Sequence, residues 1–446
     1  MGRADLGAEY RGAVLGDKRR SGRLERLAEQ MAERPEASFP EALDEGQLEG
    51  AYRFLTNESV TVDAMLAPHV SQTIERIGKR AALAIHDTTV LSFRADGKRK
   101  GFNREVSKNK TQQFWTHTTL AVAADGSREP YGVLHTSHAP TIEHRRWREH
   151  VEHLASLGLD LIHVMDREAD DFALLHALVE QGERFVIRLQ FDRNVTPPRS
   201  RQPRCLSEVL HAALLEGAPS ILRDVLLNAR PEQDSEQRRK THPTRRARVA
   251  SLAMASIRVR LPPSRQRAKS LSAVELTFIH VWEPEPPPGE AAIEWKLITT
   301  EPADLESIEQ TVDWYRARWT IEELFKALKT GCAVEKRQLE TFDALTRAVT
   351  FFMPMAWHML FLRHQARHAP DTPAEKVLSP SQLAALRAIS RRPLPPRPTA
   401  RDVLLAIAAL GGHLRRNGEP GWITLHRGYQ MLLLVAMGWK ARSDQS

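Results

Sequence analysis

Leu24, Leu27 and Met31 recur at helical spacing among Arg19, Arg20, Arg23, Glu25 and Arg26, which predicts an amphipathic helix with a strongly basic end. Residues 1 to about 62 carry such charged helical patterns and little strand signal. Near residue 81 the texture changes to short apolar runs at 81–93, 114–123 and 130–135, which predict strands. Asp125-Gly126 between the last two is a hairpin signal. A helix is expected over 141–157, a strand over 161–165, a helix over 169–180 and a strand over 184–189. Hairpins followed by a strand-helix-strand unit predict an α/β fold, a mixed sheet with helices on its faces.

Residues 192–300 read as an insertion. Pro197, Pro198 and Pro203 open it, alternating segments at 249–261 and 274–282 follow, and a strand at 293–299 closes it. One long helix is expected over 303–330, with Gly331 in the position that favours a glycine after a helix end. Another apolar helix, 342–364, is kinked by Pro354, and a linker at 369–373 leads into helical sequence interrupted by Pro393 to Pro398. The expected organisation is a helical N-terminal domain (1–62), a central domain (63–368) carrying the β-rich insertion at about 192–300, and a helical C-terminal domain (369–446). No internal repeat is visible.

The length of 446 residues suits two to four such units at roughly 100 to 200 residues each. Charge sharpens the picture: 64 Lys plus Arg against 56 Asp plus Glu leave +8, so the surface attracts polyanions, nucleic acid first among them. Cys205 and Cys332 stand far apart and in no metal-ligand spacing, which argues against a zinc ribbon or a disulfide scaffold and for a cytoplasmic protein. Uninterrupted apolar runs such as 431–437 fall short of the roughly 18 residues of a membrane span. The N-terminus, with Arg3, Asp5, Glu9 and Arg11, lacks the apolar core of a signal peptide.

Two carboxylates sit where chemistry is often done. Asp87 follows the apolar part of a predicted strand, and Asp166 ends another. Either alone is explained as a helix cap or turn former. Two at strand ends of one sheet can share divalent metal in a crevice. On the long helix, Tyr315, Arg318, Glu322 and Lys329 fall within a stripe of roughly 60° at about 100° per residue. Trp314, Ile321, Leu324, Phe325 and Leu328 form the apolar face. A salt-bridged helix surface accounts for the stripe equally well by periodicity. Such a set would suit phosphodiester chemistry, in which paired cations activate the attacking oxygen and stabilise the leaving one.

These residues resemble a known signature. Tyr315-x-x-Arg318-x-x-x-Glu322-x-x-x-x-x-x-Lys329, with Asp87-Thr88-Thr89 and Asp166-Arg167-Glu168-Ala169-Asp170, resembles the motifs of the insertion-sequence-four family of bacterial DDE transposases. Leu15-Gly16-Asp17-Lys18-Arg19-Arg20, Glu49 to Phe54 and Ala408-x-Leu410-Gly411-Gly412 also look like that family's terminal domains, although the segment around Pro393 to Pro398 departs from it. The resemblance implies an RNase H-like catalytic core with a β-rich insertion and a cut-and-paste reaction on double-stranded DNA. Asp87, Asp166 and Glu322 would be the catalytic and metal-binding acids, holding two Mg²⁺ for which Mn²⁺ substitutes. Tyr315, Arg318 and Lys329 would grip phosphate. Trp295 occupies the place of the family's base-stacking tryptophan, whereas alone it would read as core.

Basic residues complete the expectation. Arg238, Arg239, Lys240, Arg245, Arg246 and Arg248 form one cluster, assigned to DNA backbone contact, and Lys98, Arg99, Lys100, Arg104, Lys108 and Lys110 another, placed by its location against transposon-end or target DNA. Lys18, Arg19, Arg20 and Arg23 are expected at the terminal inverted repeat. The resemblance also implies a homodimer that synapses two DNA ends, with Trp422, Tyr429 and residues 432–435 as candidate dimer surface or, equally, intrachain packing. A structure-specific nuclease on the same fold and a catalytically silent DNA-binding regulator are the competing readings.

Overall fold

A computed structural model of the chain describes residues 6–94, 99–102, 111–141, 145–195, 202, 204–227, 229–230, 244–263, 270–414, 416 and 418–443. The chain divides into two compact units, Met1–Asp160 with Trp319–Ser446, and Leu161–Arg318.

In the first unit, strands β1 (Ala82–Arg94), β2 (Thr111–Ala123) and β3 (Pro130–Ala139) form an antiparallel meander. The expected Asp-Gly turn joins the last two: Asp125 Oδ1 accepts from Ser127 N at 3.0 Å and Gly126 takes φ +88°. Packing follows the hydrophobic positions. Leu91, Phe93 and Phe114 are fully buried, and the two phenylalanine rings stack at 5.2 Å. The 27-residue helix Phe342–His368 is long and apolar enough to cross a membrane, yet 83% of its most apolar window is buried inside the protein, so it serves as a core helix. Pro354 lies within it.

The N-terminal helices Lys18–Glu33, Glu45–Thr56 and Val62–Ile77 belong to this unit. Leu24, Leu27 and Met31 are 0%, 1% and 0% exposed, so each contributes roughly 1.5–3 kcal/mol of burial. Polar pins hold the segment to the central helix: Tyr10 Oη donates to Phe351 O at 2.6 Å, and Arg347 donates to Val60 O at 2.6 Å and Leu55 O at 3.0 Å. At the other end of the chain, helices Pro380–Ile389, Ala400–Leu410 and Trp422–Ser443 pack around Val403, Ile407 and Leu432.

In the second unit, β4 (Leu161–Met165) and β5 (Arg184–Arg188) are parallel and joined by helix Phe172–Glu180. A short ribbon pairs β6 (Asn194–Val195) with β7 (Arg204–Cys205). Strands β8 (Ser220–Leu227), β9 (Arg248–Leu261), β10 (Val274–Trp282) and β11 (Glu294–Thr299) complete an order β4-β5-β11-β10-β9-β8. The β-rich insertion therefore continues the same sheet, because β11 pairs antiparallel with β5, Ile298 opposite Ile187.

The expected single helix over 303–330 is corrected. Helix Leu305–Ala317 ends where Arg318 N donates to Tyr315 O at 3.1 Å, a tightened last turn. A second helix, Trp319–Lys326, runs into a π turn, Ala327–Gly331, closed by Cys332 N on Ala327 O at 2.9 Å. Gly331 is part of that turn and not the residue beyond a helix end. A Cβ there would lie 2.3 Å from Met359 Cε, so the turn packs closely against helix Phe342–His368, through the flexible end of a methionine side chain.

Candidate active-site residues and DNA-facing surfaces

In the first unit, Asp87 lies half-buried on β1 opposite Thr118, and its Oδ1 accepts from Thr88 N at 2.8 Å. Thr88 is itself fixed: Arg146 Nε donates to its Oγ1 at 2.9 Å, and the same oxygen shares a 2.8 Å hydrogen bond with His117 Nδ1. Farther along β1, Lys329 Nζ donates to Val90 O at 2.8 Å and Ser92 N to Glu335 Oε1 at 2.8 Å. Lys329 is thus brought to the strand of Asp87. Burial lowers its pKa from the usual lysine range, with the Glu335 charge opposing. Glu322, half-buried, lies on helix Trp319–Lys326, which packs against β1. That helix is anchored by its neighbour Glu323, which accepts from Lys326 Nζ at 2.8 Å, from Trp422 Nε1 at 2.7 Å and from Arg363.

In the second unit, Asp166 leaves the end of β4 half-buried and caps the turn Arg167–Ala169, its Oδ1 accepting from Glu168 N at 2.9 Å. Asp170, the last acid of the motif, is spent on structure, since Gln190 N donates to it at 2.7 Å and Arg193 pairs with it. Tyr315 is 6% exposed. Burial raises its phenol pKa, while the charges of Arg188 and Arg318 and a hydrogen bond from Arg188 oppose the rise and Asp166 adds to it. The structure therefore gathers Asp166, Tyr315 and Arg318, and it adds Arg188, which sequence reasoning missed. The signal was present: Met165 pairs with Ile187, so Asp166 and Arg188 leave adjacent parallel strands at the same level.

Trp295 is half-buried on β11 and meets the Tyr315 ring edge-to-face at 5.5 Å. Together with Leu252, Met254, Val312, Arg223 and Arg316 it also lines a small cavity of about 40 Å³.

The basic candidates separate by what they touch. Lys18 and Arg19 face solvent at the start of helix Lys18–Glu33, Arg19 paired at 2.9 Å with the capping Asp17. Arg20 Nη1 donates to Leu15 O at 3.0 Å, and the Arg23 guanidinium lies against Gly50, where a Cβ would come within 2.5 Å of its Cζ. Arg246 is exposed, and Arg245 is half-buried with its backbone bonded to Arg230. Arg238, Arg239 and Lys240 lie outside the described residues, as do Lys98, Arg104, Lys108 and Lys110. Arg248 is corrected. It pairs with Glu283 and, at 2.8 Å, with Glu290, so its charge holds the loop before β11 and is not available to a phosphate. Arg99 donates from Nε to Leu339 O at 2.9 Å, again a contact within the chain. Trp422, Tyr429 and Leu432 are committed to intrachain packing: Arg363 lies 4.5 Å over the Trp422 ring, and Tyr429 and Leu432 join the C-terminal core.

Asp87, Asp166 and Glu322 supply only hard carboxylate oxygens, and all three are half-buried. That donor chemistry fits Mg²⁺ or Mn²⁺ and disfavours softer cations.

Comparison with known families agrees with this inventory. Residues 5–60 match the family described as Transposase DNA-binding. Residues 78–353, well over half of the chain and including Asp87, Asp166, Trp295, Tyr315, Arg318, Glu322 and Lys329, match the family described as Transposase DDE domain. With its RNase H-like mixed α/β core and helical segments before and after that core in sequence, the chain belongs to the family of DNA transposases built on a DDE domain.

Proposed function

We propose that the protein is a cut-and-paste transposase of the insertion-sequence-four type, in which Asp87, Asp166 and Glu322 together hold two Mg²⁺. The observation that carries this reading is the DDE-domain match across all three acids, joined to their hard-oxygen donor set. When bound, paired cations activate the attacking oxygen and stabilise the leaving oxygen of an in-line displacement at phosphorus. The chain's own residues do the positioning. Tyr315, Arg318 and Lys329 orient the scissile phosphate by charge and hydrogen bonds, with Arg188 holding the Tyr315 hydroxyl.

Water cleaves one strand at the element end and leaves a 3′-hydroxyl. That hydroxyl attacks the opposite strand, one phosphodiester forming as another breaks, to give a hairpin. Hydrolysis reopens the hairpin, and the 3′-hydroxyl then attacks target DNA. Trp295 stacks the base displaced when the hairpin forms, which offsets an unstacking cost of a few kcal/mol. Residues 1–62 bind the terminal inverted repeat, with Lys18 and Arg19 as the outward-facing contacts. The helical region 369–446 supports a homodimer that synapses two ends.

The test uses duplex DNA carrying paired inverted repeats from the flanks of the coding sequence. Glu322→Gln should shift this DNA in a gel as the parent does and produce no nicks in Mg²⁺. Cleavage by that variant would remove Glu322 from the reaction. Cleavage by the parent protein without synapsis or joined products would favour a stand-alone nuclease, and binding without any cleavage a silent regulator.

A further inference from the structure

A group of buried histidines occupies the first unit and takes no part in the proposed reaction. His86 on β1, His117 on β2 and His150 on helix Arg146–Ala155 are 0%, 2% and 1% exposed. One nitrogen from each lies within 4.8 Å of the other two. The His117 and His150 ring centroids are 4.3 Å apart, and His135 stands 4.3 Å from His150.

Hydroxyls already orient the rings as outer partners orient metal-bound imidazoles. Thr119 Oγ1 meets His86 Nδ1 at 3.0 Å and His150 Nδ1 at 2.9 Å, Ser137 Oγ meets His150 Nε2 at 2.8 Å, and Thr88 Oγ1 meets His117 Nδ1 at 2.8 Å. One atom is left over. His117 Nε2 is buried without a hydrogen-bond partner, and so is Nε1 of Trp147, whose ring lies 4.5 Å from that of His117. Buried polar nitrogens normally have partners, and two orphans side by side mark a place where something polar belongs.

We propose that His86, His117 and His150 form a binding site for a borderline divalent transition-metal ion such as Zn²⁺, separate from the carboxylate site for Mg²⁺. Imidazole nitrogen selects this class of cation, whereas Mg²⁺ requires oxygen. In a tetrahedral site with metal–nitrogen bonds of about 2.0–2.1 Å, ligand nitrogens stand roughly 3.3 Å apart. The observed spacing closes to that value by side-chain shifts of roughly an ångström, with Thr119 or Ser137 yielding one His150 nitrogen. Water would fill the fourth position and accept a hydrogen bond from Trp147 Nε1. The ion would tie β1, β2 and helix Arg146–Ala155 together beside Asp87, the residue that follows His86. The proposal stands on the histidine geometry and does not depend on the role of Asp87.

The experiment uses full-length protein stripped with chelator, dialysed into excess Mg²⁺ to occupy the carboxylates, then loaded with Zn²⁺ or Co²⁺ and desalted. Elemental analysis should find one Zn²⁺ per chain. Co²⁺ in its place should show the intense visible absorption of a four-coordinate site. His117→Gln and His150→Gln should each weaken retention at least about tenfold, while circular dichroism confirms their fold. No retained Zn²⁺, retention by both variants as strong as the parent's, or a weak six-coordinate Co²⁺ spectrum in the parent protein would overturn the proposal. The last readout decides the matter even if the variants fail to fold.

Discussion

Trp295 shows how a residue's role depends on what surrounds it. On a strand it would ordinarily be core, yet it is only half-buried and one side meets Tyr315 at 5.5 Å. Base stacking on an aromatic face contributes about 1–3 kcal/mol. Trp295→Ala should therefore slow hairpin formation by at least about fivefold while first-strand nicking changes little, as followed by quenched-flow gels. Equal slowing of both steps would refute the stacking role. The acids and the Tyr-Arg-Glu-Lys spacing stood out in the sequence as candidates because residue identity and spacing carry the resemblance. Arg248 was misread because Glu283 and Glu290, which neutralise it, lie more than thirty positions away and only strand pairing brings them near. Arg188 was overlooked because its partner, Tyr315, lies more than a hundred positions away in the chain.

At the scale of elements, apolar runs bounded by turn signals located β1 to β5 and β9 to β11 within a few residues, since most of their positions lie in the core: β4 is buried at every residue and the last eight residues of β2 are buried without a break. The pattern failed at β8, where Leu222 and Leu226 are each 72% exposed and both faces carry apolar side chains. It also failed where the helix over 303–330 breaks, because a broken turn at Arg318 and a π turn preserve the hydrophobic count that a continuous helix would show. The Gly411-Gly412 pair was visible as a motif, but its physical reason required the fold. A Cβ on Gly411 would lie 1.8 Å from Thr424 O, and one on Gly428 would lie 1.7 Å from Ile407 O. Helices Ala400–Leu410 and Trp422–Ser443 thus meet backbone to backbone. Gly428→Ala should cost at least about 1–3 kcal/mol by overpacking and lower the melting temperature by several degrees in calorimetry. An unchanged melting temperature would contradict that crossing.

For the whole molecule, buried titratable groups set a pH dependence. Burial, with the His135 charge, pushes His138 down to about 3, and burial, with His368 and Arg367, does the same to His364. Unfolded histidine titrates near 6.5, so between these values the unfolded chain binds more protons. Stability is full above pH 6.5 and declines as pH falls towards 3, by up to about 1.4 kcal/mol per pH unit for each histidine. Glu9 adds a second window. Burial would raise its pKa, but His69 and Arg76 outweigh that and hold it at about 2, so its contribution is lost between about 4.5 and 2. Urea midpoints should fall steadily from pH 7 to pH 4.5, and a flat profile would contradict the buried-histidine account.

The net charge of +8 gives a second consequence, that binding to DNA weakens steeply with salt. Lys18→Ala and Arg19→Ala should each reduce the slope of log affinity against log salt by about one, measured by fluorescence anisotropy. An unchanged slope would take the start of helix Lys18–Glu33 off the DNA.

The central claim is that Asp87, Asp166 and Glu322 share one pair of cations, and anomalous scattering from crystals of the protein with a cleaved element end, grown in Mn²⁺, tests it most directly. The account predicts two manganese peaks, with all three carboxylates among their ligands. Peaks that leave any one of the three acids uncoordinated would contradict it.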